Sequence, residues 1–502
     1  MDAAKRVLIN TTAQYIKTFI SGILILVSAR IILKHLGNED FGIYSLVAGV
    51  VTMLSFITSA LSATTQRYLS FFHGRNDISG VKKVFCNSVF LHSVFALGLA
   101  IVLSLICPLL FNGFLNLPAG RESAAIIVYF AVVITLSLSF LASPFRAVLI
   151  ANENIVYICV VDTIDAVLKI SIAFALAFIP TDKLVFYSVS LTLIQFFNLF
   201  AFFVYDYIHY KECVMPRIKY IEKDMVRNLM GFAGWSMYTI GCQVGRLQGL
   251  AIVINKMLGT VANAAYGIGI QISSYINILS DALINALRPQ IVKSEGGGDR
   301  ERMLLLSEMA CKFSFFLVSI LAIPCVLEMP RILEVWLGDY PNNAVVFSQM
   351  FMIAAFVDSL TVALGITNQA TGDIKKFTIF VNTGKLLTVV FAIVLLLNNC
   401  SVIWIAFVYV LIEFLSGIIR LPLLRKQVGL SIRRFLKNVV LRLIIPATSA
   451  FLSCFIIVYF FEGSWRFFFT FSISSILYAV LFYCLSMTKE EKNRMLLIIK
   501  RQ

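Results

Sequence analysis

The sequence predicts an all-α integral membrane protein with about 14 transmembrane helices. Of its 502 residues, 59% are hydrophobic and 14% are charged, and the mean hydropathy is +0.89. This is more apolar surface than a soluble chain of the same length can bury. Polar interruptions divide the chain into runs of roughly 20 apolar residues, the length that a helix needs to cross a bilayer. Basic residues are concentrated in alternate loops, as expected of a polytopic protein.

The apolar runs are placed by cutting the sequence at its polar interruptions. The first seven cover about 13–35, 41–64, 84–111, 124–142, 155–179, 184–207 and 229–256. The second seven cover about 262–288, 303–327, 345–366, 377–397, 402–424, 436–460 and 466–487. The first run follows Lys5 and Arg6, but it is longer than the apolar core of a signal peptide and lacks a convincing cleavage site. We therefore interpret it as an uncleaved span.

The distribution of Lys and Arg predicts the orientation of the chain. With the N-terminus in the cytoplasm, the basic loops fall on one side together with the C-terminal tail. These segments are 67–83, 211–227, 288–302, 375–376, 420–437 and 489–501. The positive-inside rule then predicts that both termini are cytoplasmic, which requires an even number of spans, twelve or fourteen.

Several functional classes are disfavoured by composition. The loops are too short to hold an extramembrane catalytic domain, and no Walker-type phosphate loop is present. The ten cysteines are scattered without paired metal-ligand spacing, so we expect no metal site. The net charge of +15 is spread over many loops, which argues against a nucleic-acid partner. We expect no cofactor, with H⁺ or Na⁺ as candidate coupling ions.

The sequence also contains an internal repeat. A shift of 222 positions superimposes identical residues, including turn glycines and an aspartate. The clearest matches are Gly37, Tyr44, Gly74 and Asp77 with Gly259, Tyr266, Gly296 and Asp299. The repeat predicts two parallel six-helix lobes around a central cavity. We place the N-terminal lobe at 1–207, a cytoplasmic linker at 208–228, the C-terminal lobe at 229–430, and an appended helix pair with a basic tail at 431–502.

Two segments carry a resemblance to a known superfamily. One is ARIILKHLGNEDFGIY, residues 29–44, and the other is WLGDYP, residues 336–341. Over nearly its whole length the chain resembles the polysaccharide-transport members of the multidrug, oligosaccharidyl-lipid and polysaccharide (MOP) exporter superfamily, above all O-antigen flippases. The resemblance implies a bacterial inner-membrane protein that moves an undecaprenyl-diphosphate-linked oligosaccharide from the cytoplasmic to the outer leaflet by alternating access. Membrane lipids and other polysaccharide-assembly membrane proteins are its implied partners.

Polar residues within the apolar runs are the candidate site residues, because an ionisable group at a helix centre costs at least roughly 2.5–3.5 kcal/mol. The predicted cargo-binding cations of a cationic cavity are Lys17, Lys169, Arg246 and Lys385. The predicted polar lining is Gln14, Gln243, Gln248 and Asn382. The candidates for ion or proton coupling are Asp162, Asp165, Asp281, Asp358 and Glu413.

Alternatives stay open for most of these residues. Arg246 has no acid within four positions on its own helix, and its guanidinium suits bidentate phosphate binding. It either contacts the cargo or pairs with an acid on another helix, such as Glu413. Asp165 and Lys169 are four residues apart, so they either neutralise each other within the helix or take part in transport.

Two features near these residues affect packing and coupling. Gly241, Gly245 and Gly249 lie four residues apart in the seventh run, a pattern that predicts close approach of a neighbouring helix. Asp281 lies near the end of the eighth run, where it meets water or Arg288, or takes part in coupling.

Rival functions are distinguished by the cavity and the loops. A multidrug and toxin extruder of the same superfamily would favour acids and aromatic residues for cationic drugs, whereas Arg246 and Lys17 favour an anionic cargo. A membrane-embedded polymerase or ligase would need a sizeable outer loop, and the largest, about 328–343, is short. A lipid scramblase or a purely structural membrane protein would not need the buried charges. The sequence therefore predicts a transporter, not an enzyme.

Overall fold

A computed structural model describes residues 3–52, 54–111, 120–214, 220–461, 463, 465–489 and 491–493. The described chain is helical and contains no strands. It divides into two compact units, Leu8–Met237 and Tyr238–Gln502, the second of which includes Met1–Val7. The boundary between the units falls inside one helix, and the lobe boundaries inferred from the sequence stay a prediction.

The helices follow one another through short turns. The first seven are α1 Ala3–Thr52, α2 Ser55–Gly74, α3 Ile78–Leu109, α4 Glu122–Ala151, α5 Ile155–Ala175, α6 Lys183–His209 and α7 Lys223–Leu258. The next seven are α8 Thr260–Gly296, α9 Arg300–Leu327, α10 Met329–Leu337, α11 Ala344–Ser359, α12 Val362–Thr371, α13 Lys375–Phe377 and α14 Gly384–Leu397. The last four are α15 Val402–Val428, α16 Ile432–Phe435, α17 Leu441–Phe460 and α18 Arg466–Leu481. Three π-helical stretches lie at Thr378–Thr383, Leu436–Val440 and Phe482–Ser486.

The helices agree with the predicted multi-pass membrane protein. Each of the 14 apolar runs falls on helix, the second being divided between α1 and α2 and the tenth between α11 and α12. In the described chain, nine helices are long and apolar enough to cross a membrane, or ten if the bent pair α11–α12 is one span. Helix α5 is not among the nine, because Asp162, Asp165 and Lys169 lie within its 21 residues. The count of fourteen therefore stays a prediction.

The backbone repeats at the same shift as the sequence. Gly37 has φ 80° and ψ 173°, and Gly259 has φ 87° and ψ 177°. This region of φ strongly favours glycine, so both breaks depend on the missing Cβ. Asp77 begins α3 by accepting a hydrogen bond from a backbone N–H three residues on, and Asp299 begins α9 in the same way. These matched turns support the predicted duplication.

One helix breaks the symmetry of the repeat. Helix α4 runs without interruption from Glu122, whereas its counterpart 222 residues later begins at Ala344 and is broken between α11 and α12, which are bent by 49°. No glycine or proline lies at this break, and the apolar run 345–366 predicts a single span. Broken helices in membrane transporters expose backbone groups and commonly lie at binding sites.

The appended pair α17–α18 packs on α9 within the second unit. At one end, Arg466 donates two hydrogen bonds to Glu328, at 3.0 and 2.8 Å, and Thr470 donates a third at 3.0 Å. Further along, Phe316 of α9 stacks on Tyr478 and on Phe482, with ring centroids 5.3 and 4.2 Å apart. Charged and aromatic contacts therefore fix the pair to this unit.

Candidate functional site

A cluster of charged side chains lies within the second unit, where α7, α11, α14 and α15 meet. Close packing of α7 on α14 follows from the predicted glycine stripe. A Cβ on Gly249 would lie 3.2 Å from Val389, and one on Gly245 would lie 3.4 Å from Leu386. Gly241 meets no atom within 4 Å, so the close approach involves two of the three glycines. This packing brings the polar residues of α7 beside those of α14.

Glu413 on α15 is shared by two cations. Arg246 Nη1 lies 2.6 Å from Glu413 Oε2, and Lys385 Nζ donates to Glu413 Oε1. The side chains of Arg246 and Glu413 are only 5% and 6% exposed. At this burial neither charge is well solvated, so Arg246 depends on Glu413 for its stabilisation, and Glu413 depends on Arg246 and Lys385.

Asp358 links the cluster to the break in the tenth run. It lies at the end of α11, 2.7 Å from Arg420 Nη2 and 3.5 Å from Lys385 Nζ. Arg420 also donates a hydrogen bond of 3.0 Å to Thr361 Oγ1, in the turn between α11 and α12. A Cβ on Gly417 would lie 3.1 Å from the same hydroxyl, so α15 approaches the break closely. Arg420 therefore holds together the two sides of the break.

A cavity of about 230 Å³ opens beside this cluster. Its lining combines charged, amide and aromatic side chains: Gln243, Arg246, Leu247, Ser273, Asn277, Phe351, Ala354, Ala355, Asp358, Asn382, Lys385, Tyr409 and Glu413. The Arg246 guanidinium lies over the Tyr409 ring, 3.6 Å from its centroid. The Nε and Nη2 atoms of Arg246 are buried and have no hydrogen-bond partner among the described residues. The cluster contains three cations and two acids, so it carries one excess positive charge. Arg246 also has N–H donors that form no hydrogen bond with a described residue.

The first unit holds a second, separate charge cluster. Asp162 on α5 receives two hydrogen bonds from Arg146 on α4, at 2.9 and 2.7 Å, and pairs with Lys17 on α1 at 2.9 Å. Asp165 pairs with Lys169 at 2.7 Å, the contact that their four-residue spacing allows. Lys169 is exposed and Lys17 is half-buried. These five charged side chains are therefore arranged around α5.

Arg246 and Lys17, the two cations that favour an anionic cargo in the sequence, both form ion pairs in the structure. Each is paired with an acid on another helix, Arg246 with Glu413 and Lys17 with Asp162. The spacing of residues along one helix reveals only ion-pair partners within four residues, so it does not reveal contacts between helices. For Arg246, the geometry matches the alternative of an ion pair with Glu413, yet leaves two of its nitrogens unused.

The remaining predicted residues are divided between the cavity and other places. Gln243 and Asn382 line the cavity, and Asn382 donates a hydrogen bond of 3.3 Å to Thr239. Gln248, on the same helix as Gln243, is exposed and does not line it. Gln14 is half-buried in the first unit. Within the described chain, no ion pair joins Asp281 to Arg288.

Three residues of these clusters were missed from the sequence. Arg420 was interpreted as part of a basic loop but is buried on α15, and Tyr409 and Arg146 were not singled out. Tyr409, Glu413 and Arg420 are spaced at i, i+4 and i+11, which places them on one face of a helix. That pattern was the available signal for Arg420. In the described residues, no group of His, Cys, Asp and Glu side chains is arranged to hold a metal ion.

Comparison with known proteins identifies the fold. No family model and no curated protein matches the sequence. Among solved structures, a multidrug and toxin extrusion (MATE) mutant is similar, with a TM-score of 0.73 and 13% identity over 86% of this chain and 97% of that chain. An outward-facing MATE family transporter of the MOP superfamily is also similar, with a TM-score of 0.70 and 13% identity over 85% of this chain and 97% of that chain.

The chain has the MATE transporter fold. A third similar structure is a MOP superfamily transporter from Pyrococcus furiosus, with a TM-score of 0.71 and 13% identity over 86% of this chain and 96% of that chain. Its binding pocket is described as having reverse polarity, which suggests a different function for that protein. The fold agrees with the superfamily that the sequence resembles, while the narrower resemblance to O-antigen flippases rests on the sequence segments alone.

Proposed function

We propose that this protein is an alternating-access transporter that flips an undecaprenyl-diphosphate-linked oligosaccharide across the bacterial inner membrane. The MATE fold supports transport, and the cavity beside Arg246 supports a phosphate-bearing cargo. The observation that carries this proposal is the pair of unused guanidinium nitrogens on Arg246. Leaving such donors unpaired in a buried site is costly, and a phosphate oxygen satisfies them with charge-assisted hydrogen bonds.

The size of the cavity favours a headgroup over the whole cargo. At about 230 Å³ it is smaller than the roughly 300–1,000 Å³ typical of sites for drug-sized ligands. A diphosphate group would enter the cavity while the sugars extend away from it and the lipid tail stays in the bilayer. Arg246 and Lys385 bind the phosphate oxygens, and Tyr409 keeps the guanidinium in place.

Coupling follows from the two acids that hold these cations. While Glu413 and Asp358 are ionised, they compete with a phosphate for Arg246, Lys385 and Arg420. Binding of H⁺ or Na⁺ to either acid frees a cation for the cargo. Loss of the ion restores the internal pairs and releases the phosphate, so ion and cargo binding favour each other.

A second candidate is an ion-coupled multidrug exporter, which the MATE neighbours favour. The acids Glu413 and Asp358 beside the rings of Tyr409 and Phe351 are the feature that would attract a cationic drug. Against this, the cluster holds more cations than acids. The Pyrococcus neighbour is described as departing from the usual pocket polarity, so the same fold accommodates pockets of another polarity.

The two functions are separated by an experiment in cells that lack this protein. We expect lipid-linked oligosaccharide to accumulate on the cytoplasmic leaflet, and wild-type protein to relieve the accumulation. Arg246→Gln at the same membrane abundance should fail to relieve it, whereas Gln248→Ala, on the exposed face of the same helix, should succeed. Gained drug sensitivity without accumulation would favour the multidrug exporter and overturn the flippase proposal.

A further inference from the structure

A second cavity, of about 370 Å³, lies in the second unit between α9 and the appended helices. It is bordered by α9, by α16 and the π-helical stretch before α17, by the beginning of α17, and by residues 488, 489 and 491 after α18. It shares no lining residue with the cavity beside Arg246. All these segments lie at the ends of spans 9, 13 and 14 that the basic loops predict to be cytoplasmic.

Cations outnumber acids in this second cavity. Lys312 is buried, pairs with Glu491 at 2.6 Å, and donates to the Ser486 carbonyl at 3.3 Å. Arg434 lies 3.4 Å from Glu308, longer than a charge-assisted hydrogen bond of about 2.7–2.9 Å. The lining contains four cations and two acids.

Two of the four cations lack an ion pair within the part of the chain that the structure describes. Arg442 and Lys489 line the cavity, and neither forms an ion pair with a described residue. Arg442 is half-buried at the beginning of α17, so its guanidinium is partly removed from water, and it has no anionic partner among the described residues. A polar side chain in that position gains from an anion with oxygen acceptors.

The surroundings indicate that the anion belongs to a lipid. Beside Arg442 on α17, Leu441, Ile444 and Ile445 are exposed apolar side chains, at 58%, 47% and 57%. An acyl chain lying along α17 would cover them while its headgroup reaches the cavity. Basic pockets between transmembrane helices at the cytoplasmic side bind the headgroups of anionic lipids in this way.

We propose that the cavity between α9 and the appended helices binds the phosphate headgroup of an anionic phospholipid. Arg442 and Lys489 contact the phosphate, and Arg434 provides a third positive charge. All three groups belong to the appended segment 431–502, at a cavity that α9 also borders. The site is distinct from the proposed cargo site and does not depend on the identity of the cargo.

The test uses the purified full-length protein, delipidated in a neutral detergent. Native mass spectrometry and thermal unfolding are measured with short-chain phosphatidylglycerol, phosphatidylcholine of equal chain length, and glycerol phosphate. We expect phosphatidylglycerol to bind and raise the Tm, with little effect of the other two. Arg442→Gln with Lys489→Gln should weaken phosphatidylglycerol binding roughly tenfold or more, because each removes a contact to a charged group.

The control is Lys437→Gln, which removes one positive charge, against two in the double variant, from an exposed position on the π-helical stretch that does not line the cavity. This variant should bind phosphatidylglycerol like the wild type. Equal loss of binding in Lys437→Gln and the double variant would overturn the proposal, since attraction would then depend on overall charge. Equal binding of glycerol phosphate would reject the lipid and assign the site to a free phosphate compound.

Discussion

Glu413 is the residue on which the buried cluster depends, because two cations share its carboxylate. Arg246 and Lys385 approach it from different helices, and Lys385 also lies near Asp358. Loss of one cation leaves Glu413 with the other, whereas loss of Glu413 leaves Arg246 without its ion-pair partner. Substitution of Glu413 should therefore destabilise the cluster more than substitution of Arg246.

We expect Glu413→Gln to lower the free energy of unfolding by about 3–5 kcal/mol, the cost of leaving a buried charge unpaired. Arg246→Gln should cost less, since Lys385 still neutralises Glu413. Thermal unfolding of both purified variants measures the difference. The control is Glu334→Gln, which removes an acid from an exposed pair with Arg331 and should cost at most about 1 kcal/mol. A smaller loss for Glu413→Gln than for Arg246→Gln would contradict the shared arrangement.

The identity of the candidate residues was accessible from the sequence, and the pair of Arg246 with Glu413 was one of two alternatives that the sequence left open. Lys385, Asp358, Glu413 and Arg246 stand out as polar residues within apolar runs. They form one cluster because α7, α11, α14 and α15 pack together. The spacing of residues along the sequence does not reveal how helices pack. Arg420 was missed because it lies near the end of its run, where a basic residue is ordinarily explained by membrane topology.

Packing between helices α8 and α11 depends on the absence of a side chain at Gly269. A Cβ there would lie 2.9 Å from the backbone carbon of Phe347 and 3.0 Å from its oxygen. Backbone atoms cannot move aside as the end of a flexible side chain can. The two helices therefore have to separate if any side chain is added.

We expect Gly269→Ala to lower the free energy of unfolding by about 1–3 kcal/mol, the usual cost of overpacking. Gly267→Ala is the matched control on the same helix, since a Cβ there meets no atom within 4 Å. This control should be neutral or up to about 1 kcal/mol more stable, because alanine favours helix over glycine. Thermal unfolding measures both, and equal effects would show that the contact with Phe347 is unimportant.

The positions of the helices were predictable because apolar length fixes them, while the break between α11 and α12 was not. No proline or glycine lies between Asp358 and Thr361. The break is held by Arg420, a contact between helices that no local pattern reveals. Gly37 and Gly259 are the contrasting case, since a repeated glycine signalled the repeated turn.

The molecule combines a duplicated fold with an appended helix pair. The duplication was detectable from turn residues such as Asp77 and Asp299, whose capping contacts require their side chains. Where the appended pair packs was not predictable, because its aromatic residues would suit any apolar surface. Glu328 decides the position of one end, since its side chain is fully buried against Arg466.

We expect Arg466→Gln to loosen α17 and α18, since it leaves Glu328 buried with Thr470 as its remaining side-chain partner among the described residues. Hydrogen–deuterium exchange should increase in both helices, and the loss of stability should be about 3–5 kcal/mol. The control, Arg331→Gln, removes an exposed cation from nearby α10 and should leave exchange unchanged. Unchanged protection of α18 in Arg466→Gln would show that the aromatic contacts suffice.

Flipping by the purified protein in vesicles tests the proposed function most directly. Vesicles containing a fluorescent undecaprenyl-diphosphate oligosaccharide are measured with wild type, Arg246→Gln and Gln248→Ala. We predict ion-dependent movement of the labelled lipid with wild type and Gln248→Ala, and at least roughly tenfold slower movement with Arg246→Gln, which loses charge-assisted contacts to the phosphate. Equal rates of flipping for Arg246→Gln and wild type would contradict the proposed function. So would a wild-type protein that does not move the labelled lipid but exports a cationic dye in response to an ion gradient.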